Sequence, residues 1–327
     1  MKHNLFISVL AAAMIWSATS VFAQTETPTV YFTKEITAES LVKIYEALGV
    51  TPSGRVAVKI STGESEKTGY LRPDFIKPLV DKVDGTLVEC NTAYGGARGT
   101  TREHRKAIKE RGFTEENGFK TLDIMDEDGN LEIPVQDNKH LAYDIVGSHL
   151  ANYDWMINVA HFKGHAMGGF GGVLKNQSIG VASKAGKLYI HSAGESTRSW
   201  GNPAQDDFLE SMAAAAQAVH NYLKGQVLYI NVMNKLSVDC DCDGSPSKPK
   251  MKDVGILASL DPVALDKACL DIIFNNDSKS GDDARALQKR INSLHGTHIV
   301  EYAEQIGLGS TTYKLVNIDQ LTEPTDK

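Results

Sequence analysis

The fold is decided by Trp155-Met-Ile-Asn-Val-Ala160, which runs directly into His161-Phe-Lys163-Gly-His165-Ala-Met-Gly168-Gly169-Phe-Gly171-Gly172-Val-Leu-Lys175-Asn176. The first six residues form an apolar run of strand length, which reads as a buried strand. The next sixteen hold two histidines, two lysines and five glycines. Glycine lets a backbone turn tightly and approach a ligand. Histidine and lysine supply a proton carrier, a metal ligand or an anion clamp. In open α/β sheets such loops sit at strand ends and carry function. A plain strand-to-helix turn is the competing reading. Residues 173–178 are expected to open a helix whose N-terminus points its amides at a ligand.

Upstream, Arg55-Val-Ala-Val-Lys-Ile60 and Thr86-Leu-Val-Glu-Cys90 read as strands. Helices are expected over residues 37–48, 74–83 and 101–111. Strand and helix alternate, which is the signature of a parallel sheet. No G-x-G-x-x-G follows the first strand, so a dinucleotide fold is unsupported. Residues 121–124 and 131–135 flank an Asp-Gly turn and suggest a hairpin, with a calcium loop as the alternative. Residues 143–150 read as helical, and 186–192 as a further strand. Downstream come an alanine-rich helix (208–223), an apolar strand (227–233) and a last central strand (254–259). Helices at 263–274, 283–294 and 298–306 and a strand at 312–318 close the chain. The expected class is α/β, a largely parallel sheet flanked by helices, in one lobe or two, with a cleft at the strand C-terminal ends.

The N-terminus reads as a targeting segment. Lys2 precedes an apolar run from Leu5 to Ala18, and Val21-Phe-Ala23 resembles a cleavage site. Residues 1–23 are therefore expected to be a signal peptide and 24–327 a single α/β domain. Export to the periplasm or outside the cell follows, without stable membrane insertion after cleavage. The chain of 327 residues has a formal net charge of −7. That balance argues against a nucleic-acid partner, which would require a basic face. Four cysteines, Cys90, Cys240, Cys242 and Cys269, are too few for a disulfide scaffold. Cys90 and Cys269 read as core. Cys240-Asp-Cys242 is open to three readings: ligands, a strained disulfide or free thiols.

Four strand-end loops should share one edge: residues 62–64, 91–98, 161–176 and 239–243. On them His161, His165, His191, Cys240 and Cys242 are candidate ligands of a transition metal, with zinc, iron and nickel undecided. Lys163 and Lys175 are candidate catalytic groups. Glu64, Arg72, Asn91, Thr92, Arg98, Gly168, Gly169, Gly171, Gly172 and Asn176 are candidate ligand-binding residues. Lys163, Lys175, Arg98 and Arg72 together suit a small anion.

The strand 56–60 with Gly63-Glu64, Leu71-Arg72-Pro73, Asn91-Thr92, His161-Phe-Lys-Gly-His165, residues 168–176, Gly186-Lys-Leu188, His191-Ser192, Asp239-Cys-Asp-Cys242 and residues 253–266 resemble domain-of-unknown-function family 362. The resemblance runs from about residue 30 to 318. Many relatives look like iron–sulfur proteins, with a C-x-x-C-x-x-C insert after the segment matching 187–192. Residues 193–225 hold no cysteine here, so a four-iron four-sulfur cluster is not expected. The His/Lys loop also bears a distant likeness to the nickel-cofactor lactate racemases. The functional expectation is an exported protein with a transition-metal or small-anion site, a metal-dependent redox or hydrolytic enzyme. The alternatives are a non-catalytic periplasmic binding protein and a redox thiol pair.

Overall fold

The computed structural model describes residues 26–320. The expected signal peptide lies outside the described residues. Strands are β1 (Thr29–Thr33), β2 (Val56–Lys59), β3 (Thr86–Glu89), β4 (Asp123–Ile124), β5 (Asn130–Pro134), β6 (Tyr143–Gly147), β7 (Trp155–His161), β8 (Lys163–His165), β9 (Gly169–Gly171), β10 (Val227–Met233), β11 (Gly255–Ser259) and β12 (Lys314–Asn317). Helices are α1 (Ala38–Ala47), α2 (Pro73–Lys82), α3 (Thr101–Glu110), α4 (Val173–Val181), α5 (Lys184–His191), α6 (Gln205–Tyr222), α7 (Pro262–Phe274), α8 (Arg285–Ser293) and α9 (His298–Gln305). No helix among the described residues is long and apolar enough to cross a membrane.

The main sheet has the order β12-β1-β11-β10-β7-β2-β3-β4. Only β11 runs against the others. The fold is thus α/β with a mostly parallel sheet. Side chains alternate across it, as pleating requires. Met156 and Ala160 of β7 join Tyr229 and Met233 of β10 in a core with α4, α6 and α7. Ile157 and Val159 join Ile230 and Val232 in a second core with α1 and α2. A sheet buried on both faces accounts for the near-continuous apolar strands.

Three local readings are corrected. Residues 186–192 belong to helix α5, capped by Ser183, whose hydroxyl accepts from the Gly186 amide. Residues 143–147 are a strand that pairs antiparallel with β5. Residues 121–135 form no hairpin, because β4 joins β3 instead. In each of the three, tertiary packing overrode a local pattern. The central strand expected at 254–259 is present as β11, antiparallel to its neighbours.

Connections from β2 run outward through β3 to β4, whereas β7 lies on the other side of β2. The sheet therefore changes direction between β2 and β7, where open sheets leave a crevice. One carboxylate fixes what sits there. Asp266 of α7 accepts from the amides of Val173 and Leu174, both at 3.0 Å, and from Asn231 of β10 at 2.7 Å. A Cβ at Gly172 would lie 2.2 Å from Asp266 Oδ1, so this approach requires glycine. Burial raises the Asp266 carboxyl to about 6, against the opposing pull of Asn231 and the two amides. Asp266→Ala is expected to cost about 2–4 kcal/mol in urea unfolding, because it strands three buried donors. A loss under 0.5 kcal/mol would remove Asp266 as the anchor of α4.

Candidate functional site: a lysine-lined cleft

At the crevice lies a cavity of about 220 Å³, at the small end for a ligand site. It is lined from β2 by Lys59, from α4 by Lys175 and Asn176, and from α5 by Lys187 and His191. Lys163 and His165 of β8 and the pair Cys240 and Cys242 also face it. Three of the four expected strand-end loops thus contribute directly. The fourth supports the wall, since the Glu64 amide donates to the Asp241 carbonyl at 2.8 Å and Glu64 holds Arg98 at 3.0 Å.

The positive charges divide into two kinds. Arg98 is fully engaged. It bonds Glu64, Glu89, Ser61 and the Tyr94 hydroxyl, and Glu89 also faces His104. This is a closed buried network that holds the wall. Lys163 donates to the His161 carbonyl at 2.6 Å and lies 3.3 Å from Asp241 Oδ2. The other three lysines form no carboxylate pair among the described residues. Lys59 donates to the Ile60 carbonyl and to Asn176 Oδ1. Lys187 donates to the Ala182 carbonyl at 2.5 Å. Lys175 has neither a hydrogen bond nor an ion pair among the described residues. Burial, then the charges of Lys163, Lys187, Lys59 and Arg98, pull its ammonium down to about 7. Burial, partly offset by Glu89, takes Lys59 down to about 8.

The histidines also separate by their partners. His161 faces Asp241 Oδ2 through Nδ1 at 2.9 Å and the Asn234 carbonyl through Nε2 at 2.7 Å. Both partners are acceptors, so both ring nitrogens are spent and neither is open to a metal. Burial favours the neutral Asp241 carboxyl, but His161 and Lys163 outweigh it and hold the group well below the usual range. His165 Nδ1 accepts from the Met167 and Gly168 amides at 3.2 and 2.9 Å. That occupancy places the ring proton on Nε2. Burial, followed by Lys175, keeps His165 far below the ordinary histidine range, hence neutral. His191 is the complement. Its Nδ1 donates to the Lys187 carbonyl at 2.6 Å, leaving Nε2 with a lone pair. Burial takes it to about 4. Its ring stacks on Phe208 and meets Trp200 edge-on.

Cys240 and Cys242 are joined in a disulfide, with Cα atoms 5.1 Å apart. A ring nitrogen of His165 lies within 4.8 Å of both sulfurs. Metal-ligating residue types therefore gather here, but in this form they do not fit a metal. The sulfurs are bonded to each other, and the neutral His165 ring carries its proton on the nitrogen that has no protein partner. His161 and His191 are not part of the group. Further His/carboxylate groups occur at Asp206/His295/His298, His140/Asp207/Glu210 and Asp123/Glu127/His149, none of which lines the cavity.

The remaining expected residues are placed as follows. Thr92, Gly171, Gly172 and Asn176 line the cavity. Arg72 does not. It pairs with Glu66 at 3.0 Å and covers the Tyr70 ring. Asn91 bonds Thr101 and His104 behind the wall. Gly168 and Gly169 do not line the cavity; Gly169 packs toward Gly296. The α4 amides do not cradle a ligand, because Asp266 takes two of them. Sequence reasoning missed Lys59 and Lys187. A lysine in the otherwise apolar four-residue strand β2 was the available signal.

The chain belongs to a family whose model matches residues 56–271 and is described as a domain of unknown function (DUF362). No curated protein matches it. Among solved structures, the lactate racemase apoprotein from Thermoanaerobacterium thermosaccharolyticum is similar at 12% identity and TM-score 0.39. The match covers 62% of this chain and 50% of that one. A Thermotoga maritima protein is similar at 12% identity and TM-score 0.42, over 82% of this chain and 58% of that one. The chain thus spans about half the length of these structures' chains.

Ionising Lys175 in the folded state works against stability. Its folded pKa is lowered, so the unfolded chain holds the extra proton between about pH 7 and 10.5, and stability rises with pH across that window. Lys175→Met is therefore expected to stabilise the protein by about 2–4 kcal/mol at pH 6. The gain should shrink toward zero by about pH 10 in denaturant titrations. A constant or growing gain would contradict the assignment.

Proposed function

We propose that this is an exported protein whose cleft binds a small anionic ligand and is equipped to act on it. One observation carries the reading: three lysines, Lys59, Lys175 and Lys187, face one cavity with no carboxylate partner among the described residues. Uncompensated buried charge is costly, and an anion supplies the missing partner. Two neutral histidines with opposite proton placement support chemistry on it. His165 offers an N–H and His191 a lone pair, a donor and an acceptor for proton transfer. The segment 1–23 supports export.

Calorimetry with succinate, oxalate and phosphate tests the reading. Binding at pH 8 should draw in about one proton, read from buffers of different ionisation enthalpy, because the ligand restores the charge on Lys175. Affinity should fall by about tenfold for each pH unit above 7. Lys175→Gln should weaken binding by about tenfold or more at pH 6.5 and remove the proton uptake. If none of the three anions binds, the reading is lost.

A second reading rests on the His165, Cys240 and Cys242 group. After reduction of the disulfide, two thiolates and an imidazole would form a soft donor set for zinc, iron or nickel. Elemental analysis of reduced, chelator-free protein tests it; no metal above background would end it.

A further inference from the structure

We propose that the Cys240–Cys242 disulfide is an electron acceptor and that its reductant is a small thiol carrying a carboxylate. The inference rests on the anion reading of the same cleft and adds the ligand class. The disulfide and the three unpaired lysines line one cavity, so a ligand held by its carboxylate can present a sulfur to the protein's sulfurs.

The two cysteines are not equivalent. Cys240 is buried, whereas Cys242 is half-buried and the more open to attack. Cys240 Sγ accepts the Cys242 amide N–H at 3.0 Å. That bond favours negative charge on Cys240, making it the better leaving group. His165 lies within 4.8 Å of both sulfurs and carries its proton on Nε2.

The half-reaction balances without another partner. The substrate thiolate attacks Cys242 Sγ, a substrate-to-Cys242 disulfide forms, the protein S–S bond breaks, and the electron pair leaves on Cys240 Sγ. A second thiolate attacks the substrate sulfur, releasing the substrate disulfide and Cys242 as thiolate. Two thiols are oxidised and one disulfide is reduced. The two thiol protons end on the two cysteines.

The loop bearing the disulfide is held in place. Asp241, between the cysteines, faces both His161 and Lys163. The Gly164 amide donates to the Ser237 carbonyl at 2.8 Å, and a Cβ at Gly164 would lie 2.3 Å from the Val238 carbonyl oxygen.

The test is single-turnover reduction of the full chain by 3-mercaptopropionate, 2-mercaptoethanol and cysteamine, read by acid quench, alkylation and mass. Rates are expressed per thiolate and corrected for thiol basicity with a Brønsted slope of about 0.5, calibrated on a small-molecule disulfide. The carboxylated thiol should react about tenfold faster than the neutral one, and the cationic thiol slower than both. Lys175→Gln should bring the first ratio below about three. Equal wild-type rates, or a ratio unchanged in Lys175→Gln, would overturn the proposal. Succinate calorimetry separates the two claims. If succinate binds but the rates are equal, the thiol inference fails and the anion cleft stands. If succinate, oxalate and phosphate all fail to bind and the rates are equal, both fall.

Discussion

Three N–H groups converge on the carboxylate of Asp266, and the cleft depends on that contact. It ties α7 to the first turn of α4 and to β10 in the middle of the sheet. It also uses the helix end that would otherwise attract an anion. The positive character of the cleft therefore comes from side chains. Lys175 follows directly after the two capped amides, so the same anchor that fixes α4 fixes the origin of that lysine. Asn176, one residue on, reaches back to Asn158 of β7 at 2.7 Å and accepts from Lys59. Helix, sheet and cavity floor are thus one hydrogen-bonded unit, which fixes the backbone from which the lysines project.

The α/β class was legible in the sequence because β2, β7 and β10 are largely apolar and end in polar loops, and the family resemblance because of motifs such as His161-Phe-Lys-Gly-His165 and Asp239-Cys-Asp-Cys242. The convergence of those loops followed from the parallel arrangement. Partnership was not legible. Nothing in the string around Arg98 tells that Glu64 and Glu89 satisfy it while Lys175 has no such partner. His161 and His165 look alike in sequence, yet one is locked to Asp241 and the other is turned by two backbone amides. The apolar Leu188-Tyr-Ile190 suggests a strand ending at His191; packing of α5 against α6 and β6 makes the segment helical. Arg72 was lost to the cleft through Glu66, six residues away and invisible to any strand-end argument.

The two kinds of buried charge explain one another. On one wall, Glu89 meets Arg98 and His104, and every group has an opposite partner. That is how buried charges are normally retained, since an unpaired ion in a low dielectric costs several kcal/mol. Lys59, Lys175 and Lys187 break the pattern a short distance away. The two carboxylates that reach the cavity, Glu89 and Asp241, are paired elsewhere, so none forms an ion pair with these lysines, although the chain carries 41 acids. A group that opposes folding persists where it has another use. Placed together in a concavity, such groups attract what the protein itself does not provide.

The disulfide belongs to the same reasoning. A redox pair is selective when its substrate is positioned by something other than the sulfurs, because thiolate nucleophilicity follows thiol basicity rather than the identity of the rest of the molecule. Here the positioning groups come from β2, α4 and α5, and the sulfurs from the loop after β10. The only carboxylate between the cysteines is Asp241. It is taken by His161 and Lys163, so it does not neutralise the lysines across the cavity. Asp241 itself lines the cavity, and without His161 and Lys163 its carboxylate would remove positive charge beside the disulfide and repel an anionic thiol. Its pairing with His161 and Lys163 leaves Lys59, Lys175 and Lys187 without a carboxylate partner among the described residues.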